Sequence, residues 1–311
     1  MHSRRGMKLC FMLVRRIPPV PSPILVEACE ILTRRGFQID SGIAEDVYVE
    51  PDLLRPAHDL YLLKSHTELS LSLAGILHAQ GARMLNPYRS CITTQDKIIA
   101  SRLLRAVGVP TPRCWVTGDL TLMHSVVEEK PLIIKPYRGH RGAGISVVHN
   151  PDELAAVPLP ETPVLIQEFI QGSGEDLKVY VVGEEVFAVR KEFSAMSFTQ
   201  AGRPSQVSPE VRDIALRCGQ VFGLGLYGLD IIESPTGPVV VDLNYFPGYK
   251  GVPRIAPIIA DYIEGFALGR FDLGPPDLTQ SAEPPSGTMS LFAEQSAILV
   301  PELAGHELGD R

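Results

Sequence analysis

Short apolar runs, broken at polar, glycine and proline positions, alternate with one-faced amphipathic stretches along the first ninety residues. Leu9–Val14 reads as a buried strand stopped by Arg15 and Arg16. Ser22 can cap a helix through Leu32 that Gly36 closes, and Phe37–Ile39 starts a second strand. Asp59–Lys64 continues as a strand, Glu68–Gln80 as a helix with one apolar face, and Arg83–Leu85 as a short strand before Asn86-Pro87. Strands alternating with helices predict a small parallel α/β domain over residues 1–90.

A helix from about Thr94 to Ala106 ends at Gly108 and Pro110, and the Pro110–Pro112 segment leads into a strand around Trp115. Leu132–Pro136, Ile145–Val148 and Val164–Phe169 are apolar strands, the first two joined by a glycine-rich stretch, with a short helix at Asp152–Ala156. These make a second unit, 91–176. The third, 177–274, holds a Lys178–Val182 and Val186–Arg190 hairpin turning at Gly183-Glu184, a helix over Pro209–Phe222, and a second hairpin. Residues 275–311 are rich in Pro, Ser, Gly and acidic positions and read as a mostly disordered tail.

The 311 residues, 45% hydrophobic and 21% charged, suffice for two or three compact units, in agreement with that division. A formal charge of −7 offers no basic field for a nucleic-acid backbone, so any anionic ligand must be met by a local cluster. No run approaches the roughly 20 apolar residues of a membrane helix. Five cysteines lie far apart with neither metal nor disulfide spacing, which fits a reducing cytoplasm.

The strongest chemical signal lies in the second hairpin, Tyr227–Ile232, a turn at Pro235-Thr236-Gly237, and Val239–Asn244. With Thr236 as midpoint, Asp230 and Asp242 are each six residues away and face one another. Opposed carboxylates destabilise a strand pair unless a cation lies between them, and Asn244, two residues on, adds an oxygen to the same face. Such hard ligands suit magnesium; a solvated sheet face is the plainer alternative.

The glycine-rich stretch Arg138–Gly144 joins two strands and could fold over phosphates, although structural turns are the commoner reading of such a sequence. Lys135, inside an apolar run, needs an anion unless it points outward from an edge strand. Gln167-Glu168-Phe169-Ile170 ends a strand before Gly172-Ser173-Gly174 and would suit a hinge whose backbone reads an adenine edge.

Taken in order, Asp96-Lys97, Lys135, the glycine-rich flap, Gln167–Ile170, the Lys178–Arg190 hairpin and Asp230…Asp242-x-Asn244 resemble the ATP-grasp enzymes over roughly residues 90–270. The resemblance implies an α/β ATP-grasp fold of α+β subdomains behind an N-terminal parallel α/β domain. It implies ATP between two subdomains, bound by Lys97, Lys135, Gly139, Gly142, Gly144, Gln167, Glu168, Phe169, Ile170 and Lys178. Two magnesium ions, a role manganese can fill, would sit on Asp230, Asp242 and Asn244.

Within that family, Asp242–Tyr249 and Lys178–Gly183 look most like the inositol polyphosphate kinases of the inositol-tetrakisphosphate 1-kinase type, and Lys64 matches their substrate lysine. The flap glycines look more like RimK-type glutamate ligases. The leading expectation is a kinase acting on a small polyanionic or hydroxyl acceptor. Lys64, His66, His140, Arg141 and Gly248 would surround the acceptor, and Arg190 and Lys191 would stabilise transferred phosphate. The alternative is a carboxylate–amine ligase working through an acyl phosphate; a third is a nucleotide-binding module without catalysis.

Overall fold

The computed structural model describes residues 6–16, 19–137, 144–158, 163–192 and 202–279. Strand β1 (Lys8–Leu13), helix α1 (Pro23–Arg34), β2 (Gln38–Ile43), β3 (Leu60–Leu63), α2 (Glu68–Ala79) and β4 (Met84–Leu85) come first. Their four strands form one parallel sheet in the order β2-β1-β3-β4. All four residues of β3 are buried, as in a central strand covered on both faces. Gly36, at a φ of +97°, lets the chain leave α1 in a geometry that a side chain would resist.

Next come α3 (Tyr88–Gln95) and α4 (Lys97–Ala106), where the sequence suggested one helix starting at Thr94. Asp96 separates them by taking an extended conformation and capping α4, its carboxylate accepting from Ile98 N at 3.0 Å and Ile99 N at 3.1 Å. That break places Lys97 in the first turn of α4.

β5 (Cys114–Thr117), α5 (His124–Glu129), β6 (Leu132–Pro136), β7 (Ser146–Val148), α6 (Pro151–Ala155) and β8 (Val164–Glu168) build a separate antiparallel sheet, ordered β5-β8-β6-β7. One face packs Leu132, Ile134, Val148, Val164 and Ile166 against Leu120, Met123, Val127 and Leu154. By strand alternation the opposite face carries Lys135 and Gln167. Of the glycine-rich stretch only Gly144 is described, at a φ of +73°, where a Cβ would come 3.0 Å from Pro136. Gly139, His140, Arg141 and Gly142 lie outside the described residues.

The chain continues through β9 (Glu175–Val182), β10 (Glu185–Glu192), β11 (Arg203–Ser205), α7 (Pro209–Phe222), β12 (Leu226–Ser234), β13 (Gly237–Tyr245) and α8 (Ile255–Ala267). These strands make an antiparallel sheet ordered β11-β10-β9-β12-β13. Pro257 and Gly265 disguise α8 in the sequence, yet its Ile255, Ile259, Ile263 and Phe266 are buried at helical spacing. Arg35, just past α1, holds α8 through its pair with buried Glu264 at 2.9 Å, and Arg83 donates to the last carbonyls of that helix, Phe266 O and Ala267 O. No helix among the described residues is long and apolar enough to cross a membrane.

A single hydrophobic core joins the parallel sheet, α3 and α4 to the β9–β13 sheet and α8. Asn86, fully buried, fastens the seam: its Oδ1 accepts from Gly225 N at 2.8 Å and Leu226 N at 2.9 Å, and its Nδ2 donates to Leu226 O at 2.7 Å. The expected tail begins in order, with Asp277 N donating to Val221 O at 2.9 Å; residues 280–311 lie outside the described set.

Candidate active site

Four strands line up a row of charges on one face of the β9–β13 sheet. Lys191 on β10 lies opposite Asp176 on β9, Lys178 on β9 opposite Asp230 on β12, and Asp230 opposite Asp242 on β13. Asn244, two residues on, falls on the same face and its amide stands 3.3 Å from Asp242 Oδ2. The expected facing of the two aspartates is therefore present, but its origin differs. The hairpin turns about Pro235-Thr236, with Ser234 paired to Gly237, and that register alone would set Asp230 against Val241. A bulge at Val241 shifts the ladder by one and brings Asp242 across instead.

Two lysines reach this row from the other side of a cleft. Lys97, at the start of α4, donates to Asp242 Oδ1 at 2.5 Å. Lys135, on β6, donates to the carbonyl of the bulged Val241 at 3.0 Å, an oxygen the ladder leaves available. Lys97, Lys135, buried Gln167, Val241 and Asp242 line one pocket between the β5–β8 sheet and the β12–β13 hairpin. Gln167 points into it, whereas Glu168 turns away to accept from Arg113 N at 2.8 Å. Phe169 is 37% exposed and Ile170 is half-buried.

The electrostatics follow from this packing. Burial, reinforced by the nearby charge of Lys97, pushes the Lys135 ammonium down to about 8 against the pull of Asp242 and Asp230. Burial opposes the Asp242 carboxylate, yet Lys97 and Lys135 hold its pKa below the usual carboxylate value. Lys178 also resists burial: Asp230, 2.7 Å away, and Asp176, 3.6 Å away, raise it above the ordinary lysine range. Burial raises the carboxyl of Asp176.

The sequence pattern starts this strand at Lys178 and so leaves Asp176 out of the site. Extending it back to Glu175 puts Asp176 two residues upstream on the same face. Arg190 and Lys191 part company, since neighbours in a strand point to opposite faces. Lys191 is buried on the carboxylate face. Arg190 lies on the reverse face in a bidentate pair with Glu233, closer to one oxygen and 2.9 Å from the other.

The expected acceptor residues gather at the seam with the parallel sheet. Lys64, following β3, donates to Phe246 O at 2.7 Å and Pro247 O at 2.9 Å and lies 4.6 Å from the Phe246 ring centroid. The His66 ring stacks at 4.4 Å on Tyr245, whose hydroxyl donates to Ser65 O at 2.6 Å, and Gly248 is exposed beside them. The structure thus brings Lys64, His66 and Gly248 together at the end of β13, two to four residues beyond Asn244.

No group of three or more His, Cys, Asp or Glu side chains able to hold a metal occurs among the described residues. The set here is two carboxylates and an amide. Their shared face and oxygen chemistry suit magnesium, which completes its shell with water and phosphate oxygens. The four lysines around them supply the charge a polyphosphate requires.

Comparison with known proteins gives this site a context. Residues 94–262 match the RimK-like ATP-grasp domain. A probable alpha-L-glutamate ligase of Maridesulfovibrio salexigens is 31% identical over 208 residues, 59% of this chain and 68% of the relative. The RimK domain ATP-grasp protein of Sphaerobacter thermophilus superposes with a TM-score of 0.65 at 20% identity, covering 83% of this chain and all of that one. The ATP-grasp ligase PsnB, solved with a precursor variant, Mg and ADP, superposes with a TM-score of 0.60 at 20% identity, covering 84% and 98%.

Proposed function

Because this chain belongs to the RimK-like ATP-grasp family, we propose that it is an ATP-dependent ligase that joins a carboxylate to an amine through an acyl phosphate. The relatives named above favour this reading over the kinase one, although both would use the same ATP half-site. The observation that carries it is the facing of Lys97 and Lys135 onto the Asp230, Asp242 and Asn244 row inside the matched segment.

In this reading the ATP phosphates replace Asp242 and Asp230 as partners of Lys97 and Lys178 and the Val241 carbonyl as partner of Lys135, and Asp230, Asp242 and Asn244 would hold magnesium. The metal supplies charge neutralisation to the phosphoryl oxygens. The Gln167–Ile170 segment meets the adenine and Gly144 the phosphates, a role the family resemblance also gives to Gly139 and Gly142. Lys191, on the carboxylate face, steadies the transferred group, and Lys64, His66 and Gly248 face the substrates, a role the family resemblance also gives to His140 and Arg141. The substrate carboxylate oxygen attacks the γ-phosphorus and ADP departs. The amine nitrogen then attacks the acyl carbon, phosphate leaves, and the amine proton passes to solvent. Neither step needs a protein nucleophile, so the residues act by holding and neutralising.

Phosphorus NMR with magnesium-ATP tests this. ADP and equimolar phosphate, formed only when an acidic amino acid or peptide supplies both carboxylate and amine, is the expected result. A new phosphoester on an inositol phosphate, without free phosphate, would overturn it.

A further inference from the structure

Arg16 follows β1 and Lys64 follows β3, so both stand beyond the carboxyl ends of neighbouring parallel strands, where ligands of such sheets collect. Arg16 Nη1 is enclosed and has no hydrogen-bond partner. Lys64 has spent two of its three donors on Phe246 O and Pro247 O. Among the described residues neither cation has an ion-pair partner, and they repel one another: burial first and Arg16 second push the Lys64 ammonium down to about 7. Two half-buried like charges with no anion among the described residues cost stability unless a ligand completes them. Space is present alongside, since a Cβ on Gly248 would meet nothing nearer than 3.8 Å.

We infer that Arg16 and Lys64 form a subsite for a carboxylate of the acidic co-substrate that takes no part in the bond formed. A carboxylate is favoured over a phosphate because two donor nitrogens are on offer, Lys64 Nζ with one N–H left and Arg16 Nη1, and a pair of nitrogens suits the planar pair of carboxylate oxygens. The site adjoins the Asp242–Asn244 end of β13 through the Phe246-Pro247 backbone that Lys64 holds. A substrate anchored there could extend towards the phosphoryl-transfer cleft. The inference takes its substrate class from the ligase reading.

The test titrates glutarate, L-glutamate, L-glutamine and inorganic phosphate into the full chain with Mg-ADP present, reading thermal shift and affinity for wild type, Arg16→Gln and Arg16→Lys. Glutarate and L-glutamate should stabilise the wild type. Arg16→Gln should weaken them about 10- to 100-fold, the loss expected for a charged hydrogen bond, and Arg16→Lys should lose less. Ligand-free Arg16→Gln should melt no lower than wild type, because it sheds a half-buried charge that has no anion among the described residues. A glutarate response independent of Arg16, tighter Arg16-dependent binding of phosphate, or a destabilised Arg16→Gln with no carboxylate response would each overturn the subsite. Failure of the ligase reading appears elsewhere, as a phosphoester product, and leaves an Arg16-dependent glutarate response intact.

Discussion

Lys135 is a site where binding chemistry and stability pull apart. The residue is 8% exposed, its ammonium donates to Val241 O at 3.0 Å, and burial lowers its pKa from the ordinary 10.5 to about 8. Folding therefore costs this group about 3 kcal/mol wherever it must stay charged, at 1.4 kcal/mol per tenfold change. The unfolded chain binds the proton more tightly, so the cost is fully present below pH 8 and fades as pH rises towards 10.5. Lys135→Met removes that cost and forfeits one hydrogen bond of about 1 kcal/mol, for a net gain of about 1–2 kcal/mol at pH 7.

At a few degrees per kcal/mol for a chain of this size, the gain is readable as a melting shift. The assay compares wild type and Lys135→Met by thermal unfolding at steps from pH 7 to 10.5, with Mg-ATP binding measured alongside. The variant should be the more stable at pH 7, its advantage should shrink between pH 8 and 10.5, and its ATP affinity should collapse. A variant less stable at pH 7, or a gap that stays constant with pH, would refute the assignment of Lys135 as a cation held in place for a phosphate.

Three further outcomes follow from the same geometry. Asp242→Asn keeps the shape of the side chain but removes the anion facing Lys97 and Lys135, so turnover of Mg-ATP should fall by about 10²-fold or more with the circular dichroism unchanged; near-normal turnover would discard the metal set. Lys191→Met and Arg190→Gln should diverge: the first should cost turnover, while the second, on the reverse face with Glu233, should cost about 1 kcal/mol of stability and leave kcat within a few-fold. Equal kinetic losses would contradict the facing of β10. Lys64→Met should raise hydrogen exchange of the Phe246–Tyr249 amides about 10-fold or more, because Phe246 and Tyr249 hold positive φ values of 38° and 52° that the surrounding contacts must maintain; unaltered exchange there would show that the lysine clamp does not hold this loop.

The parallel sheet, the two later hairpins and α7 were legible because each writes a strong local signal. Helix α7, for example, runs from a Pro209 start capped by Ser208 to Gly223 at a φ of +63°. Lys135 was legible as a lysine among apolar neighbours, and Asp230 with Asp242 as carboxylates in a hairpin. What stayed hidden depends on tertiary choices. α8 carries a proline and a glycine that argue against a helix locally, and only its packing against α1 and the β9 strand explains it. Arg16 is one arginine after a strand until its neighbour proves to be another half-buried cation.

The most consequential hidden feature is a single extra residue. Side chains alternate along a strand, so a hairpin turning about Pro235-Thr236 without interruption would pair Asp230 with Val241 and carry Asp242 and Asn244 to the reverse face. Leu243 and Tyr245, now buried, would face the cleft in their place. The bulge at Val241 prevents this and also frees the carbonyl that Lys135 takes. An aspartate pairing argued from a midpoint at Thr236 arrives at the same partners by cancelling errors: the turn centre lies half a residue earlier, and the inserted residue restores the count. The alignment of acidic groups and lysines therefore rests on two local breaks in regular structure, the cap at Asp96 that releases Lys97 towards Asp242 and the bulge that turns Asp242 towards Lys97. Each break disturbs its own element, and together they close one ion pair across the cleft.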